Sequence, residues 1–138
     1  MVVIYTGSNE IDKILEAEIK GSMVVSYEDF IIEDDKFKDQ TVILGANSIE
    51  RDIKEYLFLL RSKNIRVILL LDNDKNEKTK TALEYGIYDL VFGNFYPSQI
   101  VEILNNPKRF SDISKIYRRW FDIHIKKNRG KDYKYEKK

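Results

Sequence analysis

Cysteine is absent from this chain of 138 residues, so neither a disulfide framework nor a thiolate metal site can form. The single histidine, His124, lacks the partners of a zinc site or a serine triad, and we expect an exposed helix position. No hydrophobic run approaches the roughly 20 residues that span a bilayer. The N-terminal apolar run, residues 2–5, is too short for a signal peptide. We therefore expect a soluble cytoplasmic protein with no membrane partner.

Charge is distributed unevenly along the chain. The formal net charge is only +1, yet residues 108–138 carry twelve basic and four acidic side chains, a net charge of +8. The remaining 107 residues carry twelve basic and 19 acidic side chains, a net charge of −7. This division predicts an acidic body and a basic appendage with different roles. The length leaves room for one hydrophobic core and a short appendage, but not for two domains.

Five short apolar segments recur along the first part of the chain. Each is rich in β-branched or aromatic residues and is bounded by Gly, Asn, Asp or charged residues. Three of them are continuous rather than alternating, which is typical of parallel strands covered on both faces. Their spacing leaves room for one crossover helix between successive strands. The predicted strands are residues 2–5, 23–25, 41–44, 66–71 and 89–92.

Helical patterns lie between most of these strands. Residues 49–60 repeat Ile and Leu with the helical period after Asn47 and Ser48, either of which could cap the helix. Residues 77–85 form another helical pattern, which ends at Gly86 in the position expected for a C-cap. Both patterns indicate amphipathic helices that pack on the sheet.

Two further helices are predicted, one capped by Ser8 or Asn9 and one with Pro97 in its first turn. Residues 28–40 have no clean period, so a helix there should be short, distorted or absent. Five strands alternating with helices predict a flavodoxin-like α/β three-layer sandwich with a parallel sheet. We expect right-handed crossovers and the strand order 2-1-3-4-5.

The α/β domain should span residues 1–107, because Asn105-Asn106-Pro107 interrupts the helical pattern. A helical extension is predicted over residues 108–125. Its apolar stripe includes the only Trp, so it should be buried on the body or on another subunit. Residues 126–138 have no period and are predicted to be a basic linker or disordered tail. The stripe consists of Ile113, Ile116, Tyr117, Trp120 and Phe121.

The segment YGIYDLVF at residues 85–92, together with the spacing of the strands, resembles the receiver domain of two-component response regulators. In receivers a helix ends in Gly, an apolar and an acidic residue follow, and the fifth strand begins. The resemblance covers about residues 1–105 and rests on pattern rather than on an invariant motif. It implies a receiver-like fold.

A working receiver carries its chemistry at the carboxyl ends of the strands. Two acidic residues after strand one bind Mg²⁺, an Asp ending strand three accepts the phosphoryl group, and a hydroxyl and a Lys end strands four and five. Here those positions hold Thr6-Gly7-Ser8, Gly45, Asp72 and Gly93 instead. The resemblance therefore implies an atypical receiver, not an enzyme, that signals through contacts. It implies no catalytic residue, no cofactor and no metal site.

Atypical receivers also occur as N-terminal domains of ATPases similar to the ParA/MinD group, including pilus-assembly localisation proteins of the TadZ/CpaE type. There the domain supports dimerisation or placement. This chain has no Gly-rich Lys-Ser/Thr loop, so such an ATPase would lie in sequence after Lys138. The resemblance implies a regulatory or localisation role with a protein partner or a homodimer.

In receivers, partners and dimer mates dock near the fourth helix and the fifth strand. By the resemblance, the aromatic residues around these elements are candidate partner-binding side chains: Tyr85, Tyr88, Phe95 and Tyr96. Two aromatic residues of the extension, Tyr117 and Trp120, are added to this set. The alternative is a nucleic-acid-binding regulator in which residues 108–138 contact phosphates. A small-molecule or nucleotide-binding enzyme is a third possibility, but the sequence contains no convergent set of catalytic residues, and the fold alone is only an analogy.

Two local patterns suggest ligand sites but have simpler explanations. Asp72, Asp74 and Glu77 resemble the start of a calcium loop, but no Gly stands at the sixth position and Leu83 stands at the twelfth. We expect a solvated acidic loop that caps the next helix. The segment Thr6-Gly7-Ser8 could hold an anion on backbone N–H groups, but one Gly is weak evidence for such a site, and we expect a tight turn with an N-cap.

Overall fold

A five-stranded, all-parallel sheet lies between two layers of helices in the computed structural model, which describes residues 1–126. The arrangement is flavodoxin-like α/β, and the predicted order 2-1-3-4-5 is confirmed. The strands agree with the predicted segments to within one residue. Residues 127–138, most of the predicted tail, lie outside the described residues. The strands are β1 (Val2–Tyr5), β2 (Met23–Val24), β3 (Thr41–Gly45), β4 (Arg66–Leu71) and β5 (Asp89–Phe92).

Six α-helices occur in the described residues. The helix between β2 and β3 is short, as its missing period predicts, and it is followed by a 3₁₀ turn at Asp35–Phe37. Within residues 1–126, no helix combines the length and the apolarity required to cross a bilayer. The helices are α1 (Asn9–Glu18), α2 (Asp29–Glu33), α3 (Ile53–Ser62), α4 (Lys78–Glu84), α5 (Pro97–Asn105) and α6 (Phe110–Trp120).

The sheet separates the apolar core into two layers. Ile43 of β3 packs with residues of α1 and α5 on one side, whereas Val42 and Leu44 pack with α2, α3, α4 and α6 on the other. Successive side chains of a strand point to opposite faces. Because both faces are covered, β3 and β4 need apolar residues at consecutive positions, and this explains their continuous runs.

The N-cap predicted for the third helix, at Asn47 or Ser48, is wrong. Helix α3 begins after Asp52, whose carboxylate accepts a backbone N–H of the first turn at 3.3 Å. The cause is Glu28, whose buried carboxylate accepts the backbone N–H groups of the two residues before this cap, at 2.8 and 3.3 Å. These two residues are tied to the loop after β2, so the helix starts late.

The C-terminal extension packs on the body of the same chain. Ile113 is 2% exposed, and the other members of its apolar stripe are partly buried against the core layer that α3 and α4 share. The predicted helix is too long, since α6 ends at Trp120 rather than near residue 125. Asp122 has a positive φ of 51°, and the next N–H bonds the Arg118 carbonyl at 3.0 Å. This Schellman geometry stops the helix.

A partly buried ion pair fixes the start of the extension. Asp89, the first residue of β5, accepts from Arg66 Nε at 2.9 Å and from the Lys108 backbone N–H at 2.8 Å. The Arg66 guanidinium also donates to the Leu104 carbonyl at 3.0 Å. Leu104 lies at the carboxyl end of α5, where a cation interacts favourably with the helix dipole. Lys108 Nζ donates to the Leu90 carbonyl at 2.9 Å. The extension is therefore held from its first residue.

Candidate functional site

The strand order reverses between β1 and β3, and ligands of open α/β sheets bind at such a point, outside the carboxyl ends of the strands. Here the loops after the two strands touch. The Ser48 hydroxyl donates to the Thr6 carbonyl at 2.8 Å. A Cβ on Gly45 would overlap that carbonyl group, and a Cβ on Gly7, where φ is +81°, would overlap the Ser48 side chain. Residues Thr6, Gly7, Gly45 and Ser48 thus close the crevice.

A carboxylate that the sequence analysis missed supports this closure. Asp12 Oδ1 accepts from the Thr6 N–H at 3.0 Å and from the Thr6 hydroxyl at 2.6 Å, and Asp12 is 6% exposed. Leu15 and Ile19, three and seven residues further on, are also buried. A polar residue in register with a buried helical face was the signal available in the sequence.

The turn after β1 forms as a tight turn with an N-cap. The Ser8 side chain accepts the Ile11 N–H at 3.3 Å and so caps α1. The Ser8 N–H donates to the Thr6 hydroxyl at 3.2 Å. This donor, which the anion hypothesis needs, is engaged by the chain itself.

The acidic loop after β4 is also engaged by its own neighbours. Asp72 accepts from the Asn76 amide and from the Asn73 N–H, both at 2.9 Å, and these bonds, the first above all, lower the pKa of Asp72. Asp74 forms an ion pair with Arg119 of α6 at 2.9 Å. No set of three or more His, Asp or Glu residues within the described range is placed to hold a metal ion.

An open acidic cleft of about 570 Å³ lies beside the closed crevice, at the carboxyl ends of β1 and β2. Burial raises the pKa of Tyr5, and the nearby carboxylates of Glu28 and Glu50 raise it further. Arg51 is engaged within the cleft, since its Nε lies 2.6 Å from Asp29 Oδ1. The cleft is lined by Tyr5, Ser26, Tyr27, Glu28, Asp29, Glu50 and Arg51.

Tyr56 lies buried behind this cleft and holds Glu28, one of its lining residues, in place. Its hydroxyl donates to the Glu28 carbonyl at 2.6 Å, and its ring is fully buried. Burial is the main cause of the raised pKa of Tyr56, and the charge of Glu28 adds to it. The loop after β2 is therefore joined to α3 by the Tyr56 hydroxyl. The Glu28 carboxylate joins the same loop to residues 50 and 51, which precede α3.

The six aromatic residues predicted to bind a partner do not form one surface. Tyr88 and Tyr117 belong to a partly exposed aromatic row along α6, in which Tyr88, Phe110, Tyr117 and Phe121 follow one another at centroid distances of 5.8, 5.1 and 4.5 Å. Trp120 is partly buried against the same core layer. Helix α6 thus covers the side of the body formed by α4 and the start of β5.

The other three aromatic residues lie apart from this row. Tyr85 packs edge-on against Phe58, with ring centroids 6.1 Å apart. Phe95 is partly buried against the α1 and α5 layer and lines a groove of about 320 Å³ with Ile14. Tyr96 is 75% exposed, so it is the member of the set most open to a partner.

His124 is exposed, as predicted, but it follows α6 instead of lying on a helix. Its Nε2 lies 2.8 Å from Asp122 Oδ1. The positive φ of Asp122 ends the helix before His124, which is why the predicted helical position is wrong.

At the carboxyl edge of the sheet the chain therefore presents a closed crevice beside an open acidic cleft. The closed crevice excludes bulky anionic groups, whereas the cleft suits cationic groups. The fold by itself does not determine a function. No protein-family model, no curated protein and no solved structure matches this chain.

Proposed function

We propose that this chain is a phosphorylation-independent, receiver-like module that acts through protein contacts, as a homodimer or on a protein partner, within a regulatory or localisation protein. The closed crevice carries the proposal. Gly45 stands where a receiver has its phosphoryl acceptor, and any side chain there would overlap the Thr6 carbonyl. A bound phosphoryl group with its metal ion needs still more space at the same place.

The remaining features fit a module without catalytic chemistry. Asp12 and Asp72 lie beside the loops that follow β1 and β4, and both carboxylates accept hydrogen bonds from neighbouring groups of the chain. The C-terminal extension packs on α4, so contacts to a partner fall on the surfaces that α6 leaves open. The proposal includes a cytoplasmic location, which the cysteine-free composition favours.

Backbone amide NMR of the full chain tests the proposal, with beryllofluoride and Mg²⁺ added as the phosphoryl analogue. We expect no saturable shift of the Thr6, Gly45 or Ser48 amides, because the crevice holds no space for the analogue. Mg²⁺ alone is the control for weak cation effects on the acidic loops. Saturable shifts at Gly45 that need both Mg²⁺ and beryllofluoride would falsify the proposal.

A further inference from the structure

We propose that this chain associates with itself head to tail, the acidic end of one copy docking on the basic end of the next. The acidic end comprises the cleft residues with Phe30, and the basic end comprises Lys115, Arg118, Arg119 and residues 123–126. The inference rests on the proposed interaction function and specifies its partner as a second copy.

The acidic end carries an excess of carboxylates. Residues 26–55 contain nine acidic and four basic side chains, a net charge of −5. Glu50 is exposed, and among the described residues it has no ion-pair partner within 4.0 Å. Arg51 is engaged by Asp29 at 2.6 Å and by Glu55 at 3.3 Å. The field around the cleft is therefore negative, as the effect of its carboxylates on Tyr5 also indicates.

The basic end carries the opposite charge. Residues 108–126 contain six basic and two acidic side chains, a net charge of +4. Lys115 and Arg118 are exposed and, within residues 1–126, have no carboxylate within 4.0 Å. They line a shallow pocket of about 510 Å³ at the end of α6, whose other lining residues are Arg119, Asp122, Ile123 and His124. Uncompensated cations on the rim of a concave surface favour an anionic partner.

Both ends also expose apolar side chains. At the acidic end, Tyr27 is 69% and Phe30 is 57% exposed, and at the basic end Ile123 is 43% and Ile125 is 70% exposed. Exposed ion pairs contribute little by themselves, so a stable contact needs apolar burial inside a charged rim. Each end has exposed apolar side chains and a charged rim, and the rims of the two ends carry charges of opposite sign.

The topology keeps the two ends apart. The acidic end surrounds β2, which is one edge strand of the sheet, whereas α6 packs on α4 near β5 at the opposite edge. One copy therefore cannot satisfy its own two ends. A contact between unlike surfaces is heterologous, and it adds copies in a row unless the geometry closes a ring.

Sedimentation velocity of the full chain tests the inference over a wide concentration range. We expect the sedimentation coefficient to rise continuously with concentration at about 50 mM salt, and the rise to weaken strongly at about 500 mM salt. A chain that stays monomeric at all concentrations at low salt would overturn the inference. That result would leave the proposed function standing, because the beryllofluoride experiment does not depend on self-association.

Two charge reversals test which surfaces form the contact. Glu50→Lys reverses a charge at the acidic end, and Arg118→Glu reverses a charge at the basic end. Each variant alone should lose self-association by about tenfold or more, since each keeps only one working surface. An equimolar mixture should restore a discrete complex, because the first variant retains an intact basic end and the second an intact acidic end. Lys13→Glu and Glu16→Lys on α1 are matched controls outside both ends and should associate as the wild type does.

Binding to a DNA duplex tests whether the basic end serves nucleic acid instead of a second copy of the chain. If the wild type remained monomeric but bound a DNA duplex, and Arg118→Glu abolished that binding, the basic end would serve nucleic acid and the head-to-tail inference would be wrong. Association of both charge-reversal variants at the wild-type level would overturn it equally. Loss of association in the α1 controls would do the same, because it would indicate a general charge effect.

Discussion

The crevice between β1 and β3 and the contact between α4 and α6 are built from opposite kinds of residue. In the crevice, Gly45 lets the β3 backbone lie directly against the Thr6 carbonyl, and Ser48 bridges the two loops with a hydrogen bond of 2.8 Å. Nothing there can gain volume unless the backbone shifts. The crevice is thus fixed by close approach of main chains.

The α4–α6 contact consists instead of large side chains that are only partly buried. Lys80 Nζ of α4 lies 5.5 Å from the Phe121 ring centroid, and Asp74 before α4 pairs with Arg119. Two buried side-chain polar atoms, Thr79 Oγ1 and Trp120 Nε1, have no hydrogen-bond partner among the described residues, and both belong to these helices. Such groups cost about 1–3 kcal/mol each, so this contact is less completely satisfied than the crevice.

Under the proposed function, the difference indicates how the chain would act through contacts without phosphorylation. The crevice, where a receiver would carry its phosphoryl acceptor, is filled by backbone and is hard to reopen. The surface near β5, where a receiver would dock a partner, is covered by helix α6 through large side chains that are only partly buried. Function by contact then falls on the open surfaces, of which the acidic and basic ends are the most distinctive.

The largest expected effect breaks the crevice. Gly45→Asp should destabilise the fold by about 3 kcal/mol or more, because its side chain would overlap the Thr6 carbonyl and place a carboxylate where Gly45 is buried. Urea denaturation followed by circular dichroism measures this loss. Asn94→Asp is the matched control, since it adds the same charge at an exposed position after β5 and should change stability little. Wild-type stability of Gly45→Asp would show that the crevice is open in solution.

A somewhat smaller effect should break the α6 contact. Ile113→Ala removes the buried anchor of the helix, which is 2% exposed, and should cost about 3 kcal/mol or slightly less if α6 repacks. The single Trp lies on α6, so its fluorescence during denaturation reports on this contact directly. Lys115→Ala on the exposed side of the same helix should stay within about 0.5 kcal/mol of the wild type. Equal stability of the two variants would mean that α6 does not pack on the body.

The smallest expected effect concerns the hydrogen bond of Tyr56 beside the acidic cleft. Tyr56→Phe removes the 2.6 Å hydrogen bond to the Glu28 carbonyl and should cost about 1 kcal/mol at neutral pH. Folding raises the pKa of Tyr56 above its ordinary value of 10.0. The contribution of Tyr56 to stability is therefore fully present below pH 10.0, and it declines above that pH because this tyrosine ionises in the unfolded chain.

This decline supplies the second measurement for Tyr56. One tyrosine contributes a slope of up to about 1.4 kcal/mol per pH unit above its ordinary pKa. Tyr56→Phe should remove that share, whereas Tyr96→Phe, a change at an exposed ring, should retain the wild-type pH dependence of stability. An unchanged alkaline slope in Tyr56→Phe would contradict the burial of this hydroxyl.

Much of the fold could be predicted because its signals are local. The β-branched runs marked all five strands, Gly86 marked the end of α4, and Pro97 marked the start of α5. Each of these signals acts within a few residues, through backbone dihedral angles or side-chain period. The parallel order followed from the spacing of the strands and the usual rules of connection.

The wrong start of α3 reflects a contact between residues distant along the chain. The start of α3 is set by Glu28, which precedes the Glu50 N–H by 22 residues, so no local rule at Asn47 or Ser48 could reveal it. Asp12 is different, because its partner Thr6 lies only six residues away, in the turn after β1. That Tyr88 and Tyr117 pack on either side of Phe110 of the same chain could likewise be seen only in the tertiary structure, and their role in partner binding stays a prediction.

The sequence by itself determined that this protein forms a parallel α/β sheet with an amphipathic helix after it, since periodicity, glycine and proline act locally. It also determined that the acidic and basic side chains lie in separate parts of the chain. The tertiary structure alone decided that the crevice is closed, because the closure depends on a Cβ-free Gly45 meeting a carbonyl 39 residues earlier. It also decided that α6 returns to its own body, because that choice depends on the surface that α4 and β5 jointly present.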